Sequence, residues 1–461
     1  MTIRCVALGL GIALLGGCKD AVVPNLNDPT IDVPIKTRAE VQSQVSGLLA
    51  GDREFHAFQI LILETMGRDA YRIDPADPRY VQQPLGLFSP GAFIVDFLWT
   101  SNYRTIRGAQ LLTQGVDASS VVSTQEKAAA RGFARTVEAL EYLRLIEERD
   151  TLGLPINLGT GSKDPVRCKP AVLQYISSLL DSAATDLGGA GASFPFALPS
   201  GFAGFDTPAT FLKFNRGLAA KVMTYRGFRD YSRTGAIDAA ALTAALALLD
   251  QSFEDHTDPT KLRVGVYHVY STASGDLTNG NFDNSVYRVN PKVAADTEPG
   301  DRRNAKFVRD PRGLTTDPSG NASSDLLFAI VQSPTTPLPV LINEELVLIR
   351  AEVLWGLGRY AEALALMNFI RTNSGGLLPK TAASFNGFAT AADQLNLLRA
   401  ILREKRFSLL WESGARVVDF RMFGLFPELG NEKPNPGKEP RVIPFPQAEI
   451  DARGGQLTCQ Q

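Results

Sequence analysis

The stretch NEELVLIRAEVLWGLGRYAEALALMNFIRT, residues Asn343 to Thr372, reads as two helices joined by a glycine turn. Leu346, Ile349, Val353 and Leu357 recur at helical steps and form one apolar stripe. Gly356-Leu357-Gly358 interrupts it. Tyr360, Ala363, Leu364, Met367 and Ile370 form the next stripe, and Ser374-Gly375-Gly376 stops that helix. Asn343 is the expected N-cap, with Glu344 and Glu345 in the first turn, where carboxylates suit the positive helix end. Asp393 is expected to cap a third helix carrying Leu395, Leu398 and Leu402 on one side.

Upstream, the same period appears in Ala130, Phe133, Val137 and Leu140. Arg216 to Arg226 and Ile237 to Phe253 make a further helix pair, and the alanines of 239–247 permit close packing. Gly188-Gly189-Ala190-Gly191-Ala192-Ser193 follows no strand and lacks the third glycine of a dinucleotide fingerprint, so it reads as a loop. From about 254 to 342 no long helical period survives, and Asp, Asn, Gly, Pro and aromatics dominate. Such a long irregular stretch within a folded chain is more often functional than idle. Gly358-Arg359-Tyr360-Ala361-Glu362-Ala363-Leu364 looks like the turn of a tetratricopeptide unit. The expected fold is therefore mostly α: a tetratricopeptide-like scaffold of helix pairs with a loop-rich insertion.

At the N-terminus, Arg4 precedes an apolar run from Cys5 to Leu15 that is too short to span a bilayer. Leu15-Gly16-Gly17-Cys18 resembles the lipobox of a bacterial lipoprotein. Residues 1–17 are thus expected to be a signal peptide, with Cys18 acylated and residues 18–40 a Pro- and Asn-rich tether. Residues 41–461 would form one helical domain. No later segment approaches ~20 consecutive apolar residues, so membrane attachment rests on the lipid alone. The net charge of -2 argues against a broad electrostatic grip on nucleic acid. Of the four cysteines, Cys168 and Cys459 remain after the signal and the lipid anchor. An exported chain permits a disulfide between them; two free thiols are the alternative.

Asn343 to Thr372 resembles the C-terminal helix pair of the SusD/RagB family of nutrient-binding lipoproteins, including a Met367-Asn368-Phe369-Ile370-Arg371 ending. LREKRFSLLWESGARVVDFRMFG, Leu402 to Gly424, resembles the family's charged signature through Glu404, Arg406, Glu412, Gly414, Arg416, Asp419 and Arg421. Lys405, Ser408 and Ser413 depart from it. Ile443-Pro444-Phe445-Pro446-Gln447-Ala448-Glu449-Ile450 is similar to its closing motif, and Trp99 to Leu112 to its early helix, with Gln110 near the usual Asn. The resemblance implies a non-enzymatic lipoprotein on the outer-membrane surface, without a cofactor. It would bind an oligosaccharide or peptide and deliver it to a SusC-like TonB-dependent transporter. The charged signature residues read as fold-holding: Glu412 and Arg416 stand four apart in the favourable order, and the others could complete a network.

His56, His256 and His268 show no zinc or triad spacing, and no nucleophile elbow or phosphate loop is present. Asp276, Asn279, Asn281 and Asp283 alternate as calcium ligands do, but without a known spacing, and read as a polar turn. Two rival readings are a lipid-anchored glycan hydrolase, which needs only two carboxylates in a cleft, and a periplasmic tetratricopeptide scaffold. Sugars stack on exposed aromatics while polar groups fix their hydroxyls. The candidate ligand contacts are Asp69, Tyr71, Arg72, Arg79 and Tyr80 in one loop, and Tyr267, Tyr270, Phe282 and Tyr287 in the insertion. Each could instead anchor its loop by burying its ring. Trp99 and Trp355 fall on apolar helical faces and are expected in the core.

Overall fold

The computed structural model describes residues 35–158, 164–283, 285–429, 441–455 and 457–460. The expected signal peptide, Cys18 and the tether up to residue 34 lie outside them. Thr37 caps the first helix, α1 (Arg38–Glu54), by accepting from the Glu40 N–H. That start falls inside the stretch read as tether, because Val41, Val45 and Leu48 already need a core to cover them.

The helices continue as α2 (His56–Met66), α3 (Phe93–Ala118), α4 (Thr124–Arg149), α5 (Lys169–Gly188), α6 (Pro208–Gly227) and α7 (Ala239–Asp250). Then follow α8 (Asn343–Gly356), α9 (Tyr360–Asn373), α10 (Ala391–Ser408) and α11 (Ala415–Met422). Neighbours in sequence pack against each other: α3 on α4, α4 on α5, α5 on α6, α6 on α7 and α8 on α9. This is the helix-pair array expected from the periodicity. A capping box of Ser123 and Glu126 starts α4, which lies between α3 and α5 and buries most of its length. A Cβ on Gly132 would lie 2.6 Å from Leu187, so glycine lets α4 and α5 approach. Gly356 plays the same part where α8 meets Leu242 and Phe228. Gly358 takes φ +74° in the α8–α9 turn.

The stretch 254–342 holds no helix longer than a turn or so, and its strands are short. The strands are β1 (Ala70–Arg72), β2 (Gly265–His268), β3 (Tyr287–Val289), β4 (Phe307–Arg309), β5 (Thr315–Thr316), β6 (Ser323–Ser324), β7 (Leu326–Phe328) and β8 (Leu338–Ile342). They pair antiparallel as β1–β3, β2–β8, β4–β7 and β5–β6. The first pair ties residue 70 to residue 289 and so fastens the insertion onto the N-terminal helices.

Three local expectations change in the folded chain. Asn343 does not cap α8: its Oδ1 accepts the Asp255 N–H at 2.8 Å, and its Nδ2 donates to the Asp255 carbonyl at 2.7 Å. It is clamped to a loop that only tertiary structure brings near. Asp393 is not the cap of α10; Thr390 is, and Asp393 answers it from the third position. Glu412 does not pair with Arg416. Trp411 at φ +63° and Gly414 at φ +63° turn the chain between α10 and α11. Glu412 faces Arg263 and Lys306 instead.

The charged signature does hold the fold together, across long distances in sequence. Glu404 meets Arg303 and Arg371, Arg406 and Arg416 meet Asp69, and Arg421 donates to the Arg441 carbonyl at 2.8 Å. Lys405, the departure from the signature, lies buried between Glu352 at 2.8 Å and Asp419 at 2.9 Å. Buried charges persist only when paired and hydrogen-bonded. Trp99 and Trp355 are core residues, 8% and 5% exposed.

Candidate functional site

Where α1 gives way to α2, and α3 begins, aromatic rings form a strip at the surface. Phe55 and Phe97 stand 5.8 Å apart, Phe97 and Phe93 5.7 Å, Phe93 and Tyr80 5.2 Å, and Tyr80 and Phe58 6.3 Å. Phe93 and Phe97 lie one turn apart on α3, whose opposite face sends Ile94, Val95, Leu98 and Trp99 into the core. Phe97 is consequently 45% exposed. Guanidinium groups brace the rings: Arg72 lies 3.6 Å over Tyr80, and Arg79 4.6 Å over Phe93. Asp74 and Asp77 pair with these arginines at 3.0 and 2.7 Å.

The insertion supplies the neighbouring rim. Arg72 is also 6.0 Å from the Tyr287 ring, and the Tyr287 hydroxyl donates to the Gly280 carbonyl at 2.8 Å. Asn279 donates to the Thr336 carbonyl at 2.8 Å and accepts the Asn281 N–H, which shapes the turn that presents Phe282, 38% exposed. Asp276 is taken by Arg53, and Asp283 by Ser285. Among the described residues no group of three or more His, Cys, Asp and Glu side chains is arranged to hold a metal.

Of the residues singled out from sequence, Arg72, Arg79 and Tyr80 come together in the strip, and Phe282 is exposed. Asp69, Tyr71, Tyr270 and Tyr287 are buried and serve the fold. Asp69 receives Arg406 and Arg416; the Tyr71 hydroxyl accepts from Asn290 at 2.7 Å; Tyr270 packs with Ala57, Ile60 and Leu338; and Tyr287 lies 5.5 Å from Trp411. Sequence reading missed Phe55, Phe93 and Phe97. The available signal was that Phe97, with Thr100 and Arg104, falls on the polar stripe of α3, one turn from Phe93.

A cleft of about 380 Å3 opens beside the α1–α2 junction, between α1, residues 197–202 and the end of β2. Leu49, Leu198, Phe202 and Val269 form its apolar walls, and half-buried Tyr267 contributes an edge. Gln42 fastens one side by donating to the Ala197 carbonyl at 3.1 Å and accepting its N–H at 2.8 Å. Arg53 fastens the other through the Val269 carbonyl and Asp276. Behind the cleft, Arg144 is held by Asp52 at 2.5 Å and Glu141 at 2.7 Å, with His268 Nε2 3.2 Å away. Burial pushes His268 down to about 4 and lowers His56 well below its ordinary value, so both are neutral at pH 7.

Cys168 and Cys459 form a disulfide joining positions 291 apart. The Cys168 N–H also donates to the Gln460 carbonyl at 2.8 Å, so the last residues run alongside the start of α5.

No protein-family model matches the sequence, and no curated protein does. Solved structures do. NanU of B. fragilis aligns with a TM-score of 0.63 at 15% identity, over 90% of this chain and 95% of that one. A SusD superfamily protein from Parabacteroides distasonis aligns at 0.62 and 14% identity, over 90% and 98%. A SusD-like carbohydrate binding protein from Bacteroides fragilis aligns at 0.59 and 15% identity, over 86% and 88%. The chain has the SusD fold.

Proposed function

We propose that this protein is a surface lipoprotein that captures an oligosaccharide and hands it to a SusC-like TonB-dependent transporter in the outer membrane. The observation that carries this reading is the strip of exposed Phe97 and half-buried Phe55, Phe93 and Tyr80, braced by Arg72 and Arg79. Sugar rings present apolar C–H faces that stack on aromatic rings, and their hydroxyls accept from guanidinium groups and donate to carboxylates. The strip favours a glycan over a peptide because it offers flat rings in series rather than an open strand edge. Solved neighbours described as carbohydrate or sugar binding support the same ligand class.

The work is binding and release. No step in it calls for a nucleophile, a cofactor or a metal. Cys18 would carry the acyl anchor, and the chain folded after α1 would stand outside the bilayer; no helix among the described residues is long and apolar enough to cross a membrane. The helical surface would meet the transporter and the insertion would select the ligand.

A glycan array probed with the mature protein tests the reading. Saturable binding to a defined set of oligosaccharides, with the glycans recovered intact, is the expected result. Cleavage of the bound glycan would instead make the protein a hydrolase, and peptide binding without glycan binding would overturn the ligand class. Radiolabelled palmitate incorporation lost in Cys18→Ser, together with protease accessibility on intact cells, tests the anchor and its orientation.

A further inference from the structure

The strongest feature outside the aromatic strip is a cavity of about 300 Å3 between α10 and α11. Arg399, Arg403 and Arg406 recur at steps of four and three along one face of α10, and Arg416 faces them from α11. In the fold this row lines a pocket together with the carboxylates of Asp296 and Glu428 and the apolar side chains of Leu402, Phe420 and Leu425. We propose that this cavity binds a small organic carboxylate with a flat apolar body.

Every arginine of the row has a carboxylate partner, and some of these carboxylates are shared. At the mouth, Glu428 pairs with Arg399 at 2.6 Å, and Asp296 with Arg406 at 2.7 Å; both carboxylates are substantially exposed, at 42% and 37%. Arg403 reaches Glu298 at 3.2 Å and Glu404 at 3.4 Å, and both carboxylates are also partners of Arg371. On the floor a single carboxylate, Asp69, serves two guanidiniums, Arg406 at 2.6 Å and Arg416 at 2.8 Å. The Arg416 side chain is only 9% exposed, and its Nε is buried without a hydrogen-bond partner. Burial lowers the Arg416 guanidinium from its ordinary value, opposed by Asp69 and reinforced by Arg406.

The guanidinium fork matches the two oxygens of a carboxylate or of a phosphate. The walls choose between them. Arg416 stacks 5.1 Å over the Phe420 ring, giving the pocket a planar side, and Leu402 and Leu425 complete an apolar surface that a bare phosphate would leave unfilled. This site is independent of the glycan reading, since it shares no residue with the strip.

Calorimetric titration of the mature protein with benzoate, its neutral isostere benzamide and inorganic phosphate tests the assignment. Benzoate is expected to bind saturably, and benzamide more weakly by about tenfold or more, the difference made by a charge-assisted pair. Arg403→Gln, which leaves Glu298 its Arg371 partner, is expected to weaken benzoate by about tenfold, with glycan binding unchanged. If that variant misfolds, Arg399→Gln at the exposed rim takes its place. Equal binding of benzamide, tighter binding of phosphate, no binding of benzoate, or benzoate affinity unmoved in a folded arginine variant would each overturn the proposal.

Discussion

Arg416 Nη1 donates to the Asp69 carboxylate at 2.8 Å across 347 positions of sequence. The same carboxylate accepts from Arg406 Nε at 2.7 Å. Asp69 also sits between α2 and β1, and its carbonyl accepts the Asn290 N–H at 2.9 Å. One residue thereby joins the N-terminal helices, the insertion and the charged C-terminal segment. Asp69→Asn is expected to lower unfolding stability by about 3 kcal/mol or more, because breaking a buried pair strands its partner charges. Urea denaturation monitored by circular dichroism measures this, and a loss below about 1 kcal/mol, the range of an exposed pair, would show that the junction carries little.

The Cys168–Cys459 bond closes a loop of 291 positions. Restricting so long a loop in the unfolded chain is worth about 3–5 kcal/mol. Reductant is expected to lower the denaturation midpoint of the native protein and to leave a Cys168→Ser/Cys459→Ser variant unmoved. An equal response in both proteins would place the effect elsewhere.

Phe97 is 45% exposed and packs mainly on Phe55 and Phe93. Phe97→Ala is expected to change stability by less than about 0.5 kcal/mol, as at other surface positions. Glycan affinity should nevertheless fall about tenfold, the loss usual for an aromatic anchor. Tyr71→Phe, at a buried ring, supplies the contrast: its affinity should stay unchanged while stability falls by about 1 kcal/mol, the worth of one hydrogen bond.

Burial, followed by the neighbouring Asp69, raises the Glu64 carboxyl to about 8. It accepts N–H groups from Trp411 at 3.1 Å and Gly414 at 3.2 Å. The folded chain therefore holds a proton that the unfolded chain releases near pH 4.5. This contribution is fully present below pH 4.5 and is lost as pH rises toward 8. Glu64→Gln keeps an acceptor for both N–H groups and cannot ionise. Its stability relative to wild type should rise across that window by about 1.4 kcal/mol per pH unit at most; a flat difference would show that Glu64 does not titrate there.

His268 has the opposite slope. Burial holds it neutral down to about pH 4, whereas the unfolded chain gains a proton near 6.5. Its contribution is intact above pH 6.5 and is lost as pH falls toward 4. His268→Gln should flatten the acid side of the stability profile in that range. An unchanged acid limb in thermal melts would assign it to the carboxylates instead.

Much of the scaffold was legible in the chain. The stripes in 343–372 became α8 and α9, the glycines between them became their turn, and the aromatic, Asn-rich stretch 254–342 became short strands and loops. The site was less so. Tyr71 and Tyr80 look alike in sequence, both near prolines and arginines, yet Tyr71 is 5% exposed beneath Asn290 while Tyr80 lies in the strip. A ring's chemistry is written in its letter; whether another segment covers it is not.

The sequence by itself determined which stretches are helical and which way their apolar faces point, because periodicity, caps and glycine stops act over three or four residues. Tertiary structure alone decided that Glu412 answers Arg263 and Lys306, that Asn343 clamps Asp255, and that Phe97 stays uncovered. Pairing of buried charges and exposure of a face depend on which distant segment arrives there. Burial makes an unpaired charge costly, and no local pattern records where its partner will come from.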